Sequence, residues 1–191
     1  MTDAIRTIKA EHRTLDKVMR VLDTEIKAFR ELGDLDLELF LTIVEYIESY
    51  PDEIHHPKEE RYLFSRIVER APEAADLVAR LRREHEDLAR LIKEIKVAAK
   101  RLALEEAQDK PALAALVGEY TALMHDHMRR EEMELIPLLR EKLDVADRAE
   151  IDRQFAADRD PLEGGEGRKR YGELLRRIIY LSEPPPLVEG D

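Results

Sequence analysis

Two stretches of this sequence, "HHPKEE" at 55–60 and "HMRREE" at 127–132, share a skeleton of histidine followed four residues later by glutamate. At that spacing His55 with Glu59, and His127 with Glu131, lie one helical turn apart on a single face. The rival pairing of His56 with Glu60 is set aside by alignment. Glu59-Glu60 falls on Glu131-Glu132, and Leu63-Phe64 then falls on Leu135-Ile136. Two more histidines stand in apolar stripes of helical period. His12 interrupts Ile5, Ile8, Leu15, Met19, Leu22, Ile26 and Phe29; His85 interrupts Val78, Leu81, Leu88, Ile92, Ile95, Ala99 and Leu102. Burying an imidazole without a partner is costly. A single such histidine reads as a hydrogen-bonded core residue. The neighbouring His-x-x-x-Glu pairs change that reading.

The pattern is an internal repeat. "EHRTL" at 11–15 matches "EHEDL" at 84–88, and 43 residues separate His12 from His55 where 42 separate His85 from His127. Each half is a helix with one inward histidine followed by a helix with His-x-x-x-Glu. Four imidazoles and two carboxylates therefore converge at one level of a helical protein. Two buried glutamates alone would have to protonate or find cations. A pair of divalent metals supplies that charge, and mixed imidazole and carboxylate donors suit iron, with manganese or zinc as substitutes. Six side chains do not saturate two octahedral ions. Positions are left for water, an oxo or hydroxo bridge, or a small diatomic ligand.

The elements that must carry these residues are long amphipathic helices. The first spans 3–32 and breaks at Gly33-Asp34. The second starts at 34–36, with Leu37, Phe40, Val44 and Ile47 inward; Pro51 and Pro57 should kink or split it before it resumes with Leu63, Phe64, Ile67 and Val68. The third runs from about Pro72 to Gln108. The fourth opens at Lys110-Pro111 with the stripe Leu113, Val117, Tyr120, Met124, His127, Glu131 and Leu138. Short joints between four such helices predict an all-α, up-down-up-down four-helix bundle over residues 1–143. Residues 144–191 form a C-terminal helical extension: a short helix in "DVADRAEIDRQFAADRD", a loop in "PLEGGEG", and an amphipathic helix with Tyr171, Leu174, Leu175, Ile178 and Ile179 apolar. The loose tail "PPPLVEGD" follows.

Composition narrows the function classes. A formal charge of −11 argues against a nucleic-acid or anionic-membrane binder, and "RKR" at 168–170 is too short to reverse that. The absence of cysteine excludes disulfides, thiolate metal sites and a cysteine nucleophile. No apolar run approaches a membrane span and the start carries no signal core, so a cytoplasmic location is expected.

At "EHRTL", "HHPKEERYLF", "EHEDL" and "HMRREEMELIP" the chain resembles the hemerythrin-like family of HHE cation-binding domains, over about residues 3–142. The resemblance implies a non-haem di-iron centre in a four-helix bundle. It implies that His12 and His55 serve one iron, that His85 and His127 serve the other, and that Glu59 and Glu131 bridge them. Oxygen-carrying members have a second histidine one turn before the third-helix ligand; here that position is Leu81. They also have an aspartate five residues after the fourth-helix histidine, where this chain has Glu131 four residues on. The lost ligand implies a more open and more symmetric site, nearer to bacterial members linked to oxygen or iron sensing, metal handling, and nitric-oxide or peroxide responses.

Three readings follow: a protein that binds O2 or NO as sensor or buffer, a module that handles iron, or a di-iron enzyme acting on peroxide or nitric oxide. Binding is favoured over catalysis, because the proton donor an enzyme needs has only Tyr120 and the acidic neighbours as candidates. His56, about 100° around the helix from His55, is expected to be exposed or to cap, with a supporting or ligand role as the other reading. His125 should face solvent. Glu11, Glu60, Glu84 and Glu132 either hydrogen-bond the site's imidazoles or are solvated, and Met19, Met124 and Tyr120 are expected in the core.

Overall fold

The computed structural model describes residues 3–33, 35–103, 110–157 and 166–182. Among the described residues there are six helices and no strand, and the protein is an all-α bundle. Helix α1 (Asp3–Leu32) ends at Gly33, whose φ of +74° is the left-handed conformation that glycine adopts without a Cβ penalty; its N–H donates to the Phe29 carbonyl at 3.0 Å. Asp36 caps α2, which covers 37–70, by accepting from the Leu39 N–H at 2.9 Å. A single turn at Pro72–Ala74 leads into α3 (Ala75–Ala103). Residues 104–109, at the expected end of the third helix, lie outside the described residues. Helix α4 covers 110–142, α5 is Val145–Ala157 and α6 is Glu166–Ser182. Of the expected loop "PLEGGEG", 161–165 lie outside the described residues and Glu166-Gly167 open α6; the tail at 184–191 also lies outside them.

Pro51 and Pro57 do not split α2. The helix absorbs them in wide turns at Pro51–His55 and Glu59–Phe64, where hydrogen bonds reach back five residues: the His55 N–H donates to the Tyr50 carbonyl at 3.1 Å. A proline lacks the N–H that the ordinary ladder needs, and a wide turn re-routes the neighbouring donors. Helix α4 has a matching wide turn, Glu131–Leu135, just before Pro137.

Ion pairs fix how the helices meet. Lys9 pairs with Glu132 at 2.9 Å while Lys110 lies over the Phe29 ring at the other end, so α1 and α4 run in opposite directions. Lys96 pairs with Glu48, and His85 with Glu60 at 2.8 Å, so α2 and α3 do likewise. The apolar core is in two pieces. One includes Leu15, Met19, Leu22, Phe40, Ile47, Leu88, Ile95, Val117 and Tyr120; the other includes Ile5, Ile8, Leu63, Phe64, Leu81, Leu135 and Leu139. His12, His55, Glu59, His85 and Glu131 fall in the gap between them in sequence, and His127 lies at its edge, one residue before Met128, so all four long helices contribute. Leu138 and Val68, expected inward, sit on the flank, and Leu139 takes the core position.

The C-terminal helices pack on the two apolar pieces, α5 on one and α6 along α2 on the other. Asp144 and Asp147 cap the start of α5 reciprocally, with the Asp147 N–H donating to Asp144 Oδ1 at 2.8 Å. Arg70 grips Asp147 through two bonds of 2.8 Å, and Ile151 enters the core piece around Ile5. Helix α6 buries Tyr171, Leu174 and Ile178 against α2, with the Tyr171 ring 5.6 Å from Tyr50; Ile179, expected inward, faces solvent. No described helix is long and apolar enough to cross a membrane. Replacing Asp36 by Ala removes a cap and should lower unfolding stability by about 1 kcal/mol, read from the midpoint of a urea titration without change in its slope.

Candidate metal centre

The polar layer between the two apolar pieces is built from wholly buried ionisable groups. His12, His55, His85, His127, Glu59 and Glu131 are all buried, and Glu59, His55 and His127 expose none of their surface. The structure brings all six together. One donor atom each from His12, His55, Glu59 and Glu131 lie within 4.8 Å of one another, and so do one each from Glu59, His85, His127 and Glu131. Both carboxylates belong to both groups. His12 Nε2 stands 3.1 Å from Glu131 Oε2 and 3.7 Å from Glu59 Oε1; His85 Nε2 stands 3.7 Å from Glu59 Oε2.

Each of the four imidazoles has a carboxylate at Nδ1. His55 donates to Glu11 at 2.7 Å, His127 to Glu84 at 3.2 Å, His85 to Glu60 at 2.8 Å and His12 to Glu132 at 3.2 Å. A carboxylate can only accept, so it holds a proton on Nδ1 and turns Nε2 inward. Each carboxylate is in turn tied to a cation: Glu11 to Lys58 at 2.6 Å, Glu84 to Arg130, Glu60 to Arg82 at 3.7 Å and Glu132 to Lys9. The repeat therefore runs three layers deep, from imidazole through carboxylate to ammonium or guanidinium. The open question over Glu11, Glu60, Glu84 and Glu132 resolves in favour of the imidazoles. The cations were not anticipated from the sequence, although extending the alignment finds them. Lys58 and Arg130 each precede the inward glutamate, and Lys9 and Arg82 each sit three residues before the inward histidine.

The inner atoms are left without partners. The Nε2 atoms of His12 and His55 and both oxygens of Glu59 and Glu131 are buried and lack a hydrogen bond. The Nε2 atoms of His85 and His127 face each other at 3.1 Å with both Nδ1 protons already committed outward. Buried acceptors are rarely left in this state, because each costs its desolvation. A cation at this level would satisfy them, so the residues present fit a bound metal ion.

The electrostatics agree. Burial depresses the His12 imidazole, but the Glu131 and Glu59 carboxylates overcome it and raise its pKa to about 10. Burial and the Glu131 charge push the Glu59 carboxyl well above the usual range, while Glu131, beside His127 and His12, is held below it. Burial also raises Glu11, but His55 and Lys58 prevail and bring it down to about 2. Burial lowers His55 and His85, so both stay neutral donors.

Three residues need separate placement. His125 is exposed, between Asp16 and Asp23. Tyr120 is in the core, and its pKa is driven well above 10 by burial and by the charge of Asp52. His56 is neither exposed nor a cap: it is buried, and its ring stacks on His85 with centroids 4.1 Å apart. Its periodicity put it about 100° from His55, and the wide turn at Pro51–His55, invisible in the heptad pattern, lies immediately before it.

A histidine-lined, carboxylate-bridgeable layer in an all-α bundle defines a metal-binding class. The chain belongs to the hemerythrin HHE cation binding domain family, whose model matches residues 3–139. Neither the comparison with curated proteins nor that with solved structures gave a match.

In chelator, the metal-free protein should lose stability as pH rises. The folded pKa of His12 lies above its ordinary 6.5, so its contribution is full below about 6.5 and gone above about 10. Thermal melts across that window should fall more steeply for the parent chain than for His12→Leu.

Proposed function

We propose that this chain is a non-haem di-iron protein that binds a small diatomic ligand such as O2 or NO, in sensing, buffering or metal handling. In this reading His12 and His55 hold one iron and His85 and His127 the other, with Glu59 and Glu131 shared. The observation that carries it is the set of buried inward acceptors without partners, framed by four imidazoles each oriented by a carboxylate. Imidazole and carboxylate donors with no cysteine suit iron, and would also accept zinc or manganese. When bound, such a pair supplies redox chemistry and free coordination positions. The chain's own residues supply orientation, a sealed apolar surround above and below, and neutralising charge.

A di-iron enzyme for peroxide or nitric oxide is the weaker reading. Catalysis there calls for a proton donor, and Tyr120 has been made a poorer acid by its burial beside Asp52. The chain's lack of any described membrane-crossing helix accords with the cytoplasmic location we propose.

Protein expressed with iron and purified without chelator or a histidine tag should carry about two irons per chain, with near-ultraviolet bands that bleach with dithionite and return in air. Absence of metal, with helicity and melting temperature unmoved by added iron or zinc, would refute the reading. Glu11→Gln should weaken metal retention by roughly 10- to 100-fold in a chelator competition while leaving both apolar core pieces intact.

A further inference from the structure

The two halves of the site match residue for residue except at one pair of positions. Shifting the second helix onto the fourth places His55 on His127, Lys58 on Arg130, Glu59 on Glu131 and Glu60 on Glu132. The same shift places Asp52 on Met124 and His56 on Met128. In one half an i, i+4 pair is Asp and His; in the other it is two methionines. All four are largely or wholly shielded from solvent, so a solvated surface does not account for the difference. A buried Asp and His in place of two apolar side chains is a costly exchange unless both are used.

The His56 ring has surroundings of the same kind as the four imidazoles already described, with a longer approach at its outer nitrogen and no hydrogen bond there. Its Nδ1 faces a carboxylate, Asp52 Oδ1, at 3.5 Å. Its Nε2 is buried and without a hydrogen-bond partner. It lies within 4.8 Å of one nitrogen each of His85 and His127, with the rings 4.1 and 5.6 Å apart. Carboxylate at the outer nitrogen, lone pair at the inner one, and convergence on two further imidazoles together describe a metal-binding histidine rather than a packing residue.

Resting on the di-iron reading above, we propose that His56 is a fifth imidazole ligand, given to the metal held by His85 and His127 and oriented by Asp52. The two metals are then inequivalent: one has three imidazoles and the other, on His12 and His55, has two. The clefts beside them differ accordingly. The one between α2 and α3, about 530 Å³, is bordered by His56 and His85. Its counterpart between α1 and α4, about 310 Å³, is bordered by Met128 and His12. A thioether is a soft donor and a poor match for iron in a nitrogen and oxygen site, so the position that His56 fills on one side stays free on the other. A small exogenous anion or diatomic is taken up on the His12 side, through the cleft at Met128. The symmetric centre expected from Leu81 is thus replaced by an unequal one, with the missing nitrogen supplied from a different helix.

Cobalt(II) tests this directly. In anaerobically cobalt-loaded protein, each ligated imidazole whose outer N–H is retained contributes one strongly shifted, solvent-exchangeable proton resonance. The parent chain should show five, and His56→Leu and His56→Gln should show four. In competition with a chelator, one of the two cobalt equivalents should be released more readily from the variants by at least the roughly 10- to 100-fold seen for loss of a mere orienting partner. Five resonances in the parent support the proposal even where a variant fails to fold. Four in the parent, unchanged in a folded variant that retains both equivalents, overturn it and leave the dinuclear reading standing. A parent chain that takes up no cobalt overturns both.

Discussion

The structure depends on keeping a layer of ionisable side chains dry. Histidines and glutamates from all four long helices meet between two separate apolar clusters, and none of the inner donors reaches water. In such a place an anion or an unpaired acceptor is costly, and the surrounding chain is arranged to offset that cost. Carboxylates fix each imidazole from outside, and lysine or arginine fixes each carboxylate in turn. Charge therefore alternates outward from the centre. The remaining deficit is at the centre itself, where Glu59 and Glu131 compete for the one raised imidazole, His12. That imbalance is what bound metal would remove.

The wide helical turns follow from the same constraint. A long helix with prolines at 51, 57 and 137 would ordinarily bend or stop beside the site. Here α2 and α4 each take up the disturbance in turns whose hydrogen bonds reach one residue further. Glu59 and Glu131 each open one of these turns, His55 closes another, and His127 stands in regular helix just before Glu131. The distortion is thus concentrated at the level of the buried glutamates and just beyond it, where Leu63, Phe64 and Leu135 of the second apolar piece lie within the wide turns.

The C-terminal helices complete the burial from outside the repeat. Helix α5 is pinned by Arg70 to Asp147 and sends Ile151 into the lower cluster, and α6 lays Tyr171, Leu174 and Ile178 against α2. Both act on α2, the helix that carries His55, His56 and Glu59. Support for the less regular of the two helices that carry His-x-x-x-Glu therefore comes from the segment that lies beyond the matched family region.

The sequence by itself determined the helical repeat, the level at which the polar residues meet, and the six inward side chains. It could do so because a 3.6-residue period makes a histidine in a leucine stripe conspicuous, and because two halves in register check each other. The supporting carboxylates were legible only as a choice between solvation and hydrogen bonding; their partners lie on other helices, and helix-to-helix register is not written in any one stripe. His56 shows the limit most clearly. Periodicity turned it away from the centre, and only the wide turn before it, with the packing of α2 against α3, brought its ring onto His85. Tertiary structure decided that, because a single added residue in a turn shifts a side chain by an angle that linear spacing cannot register.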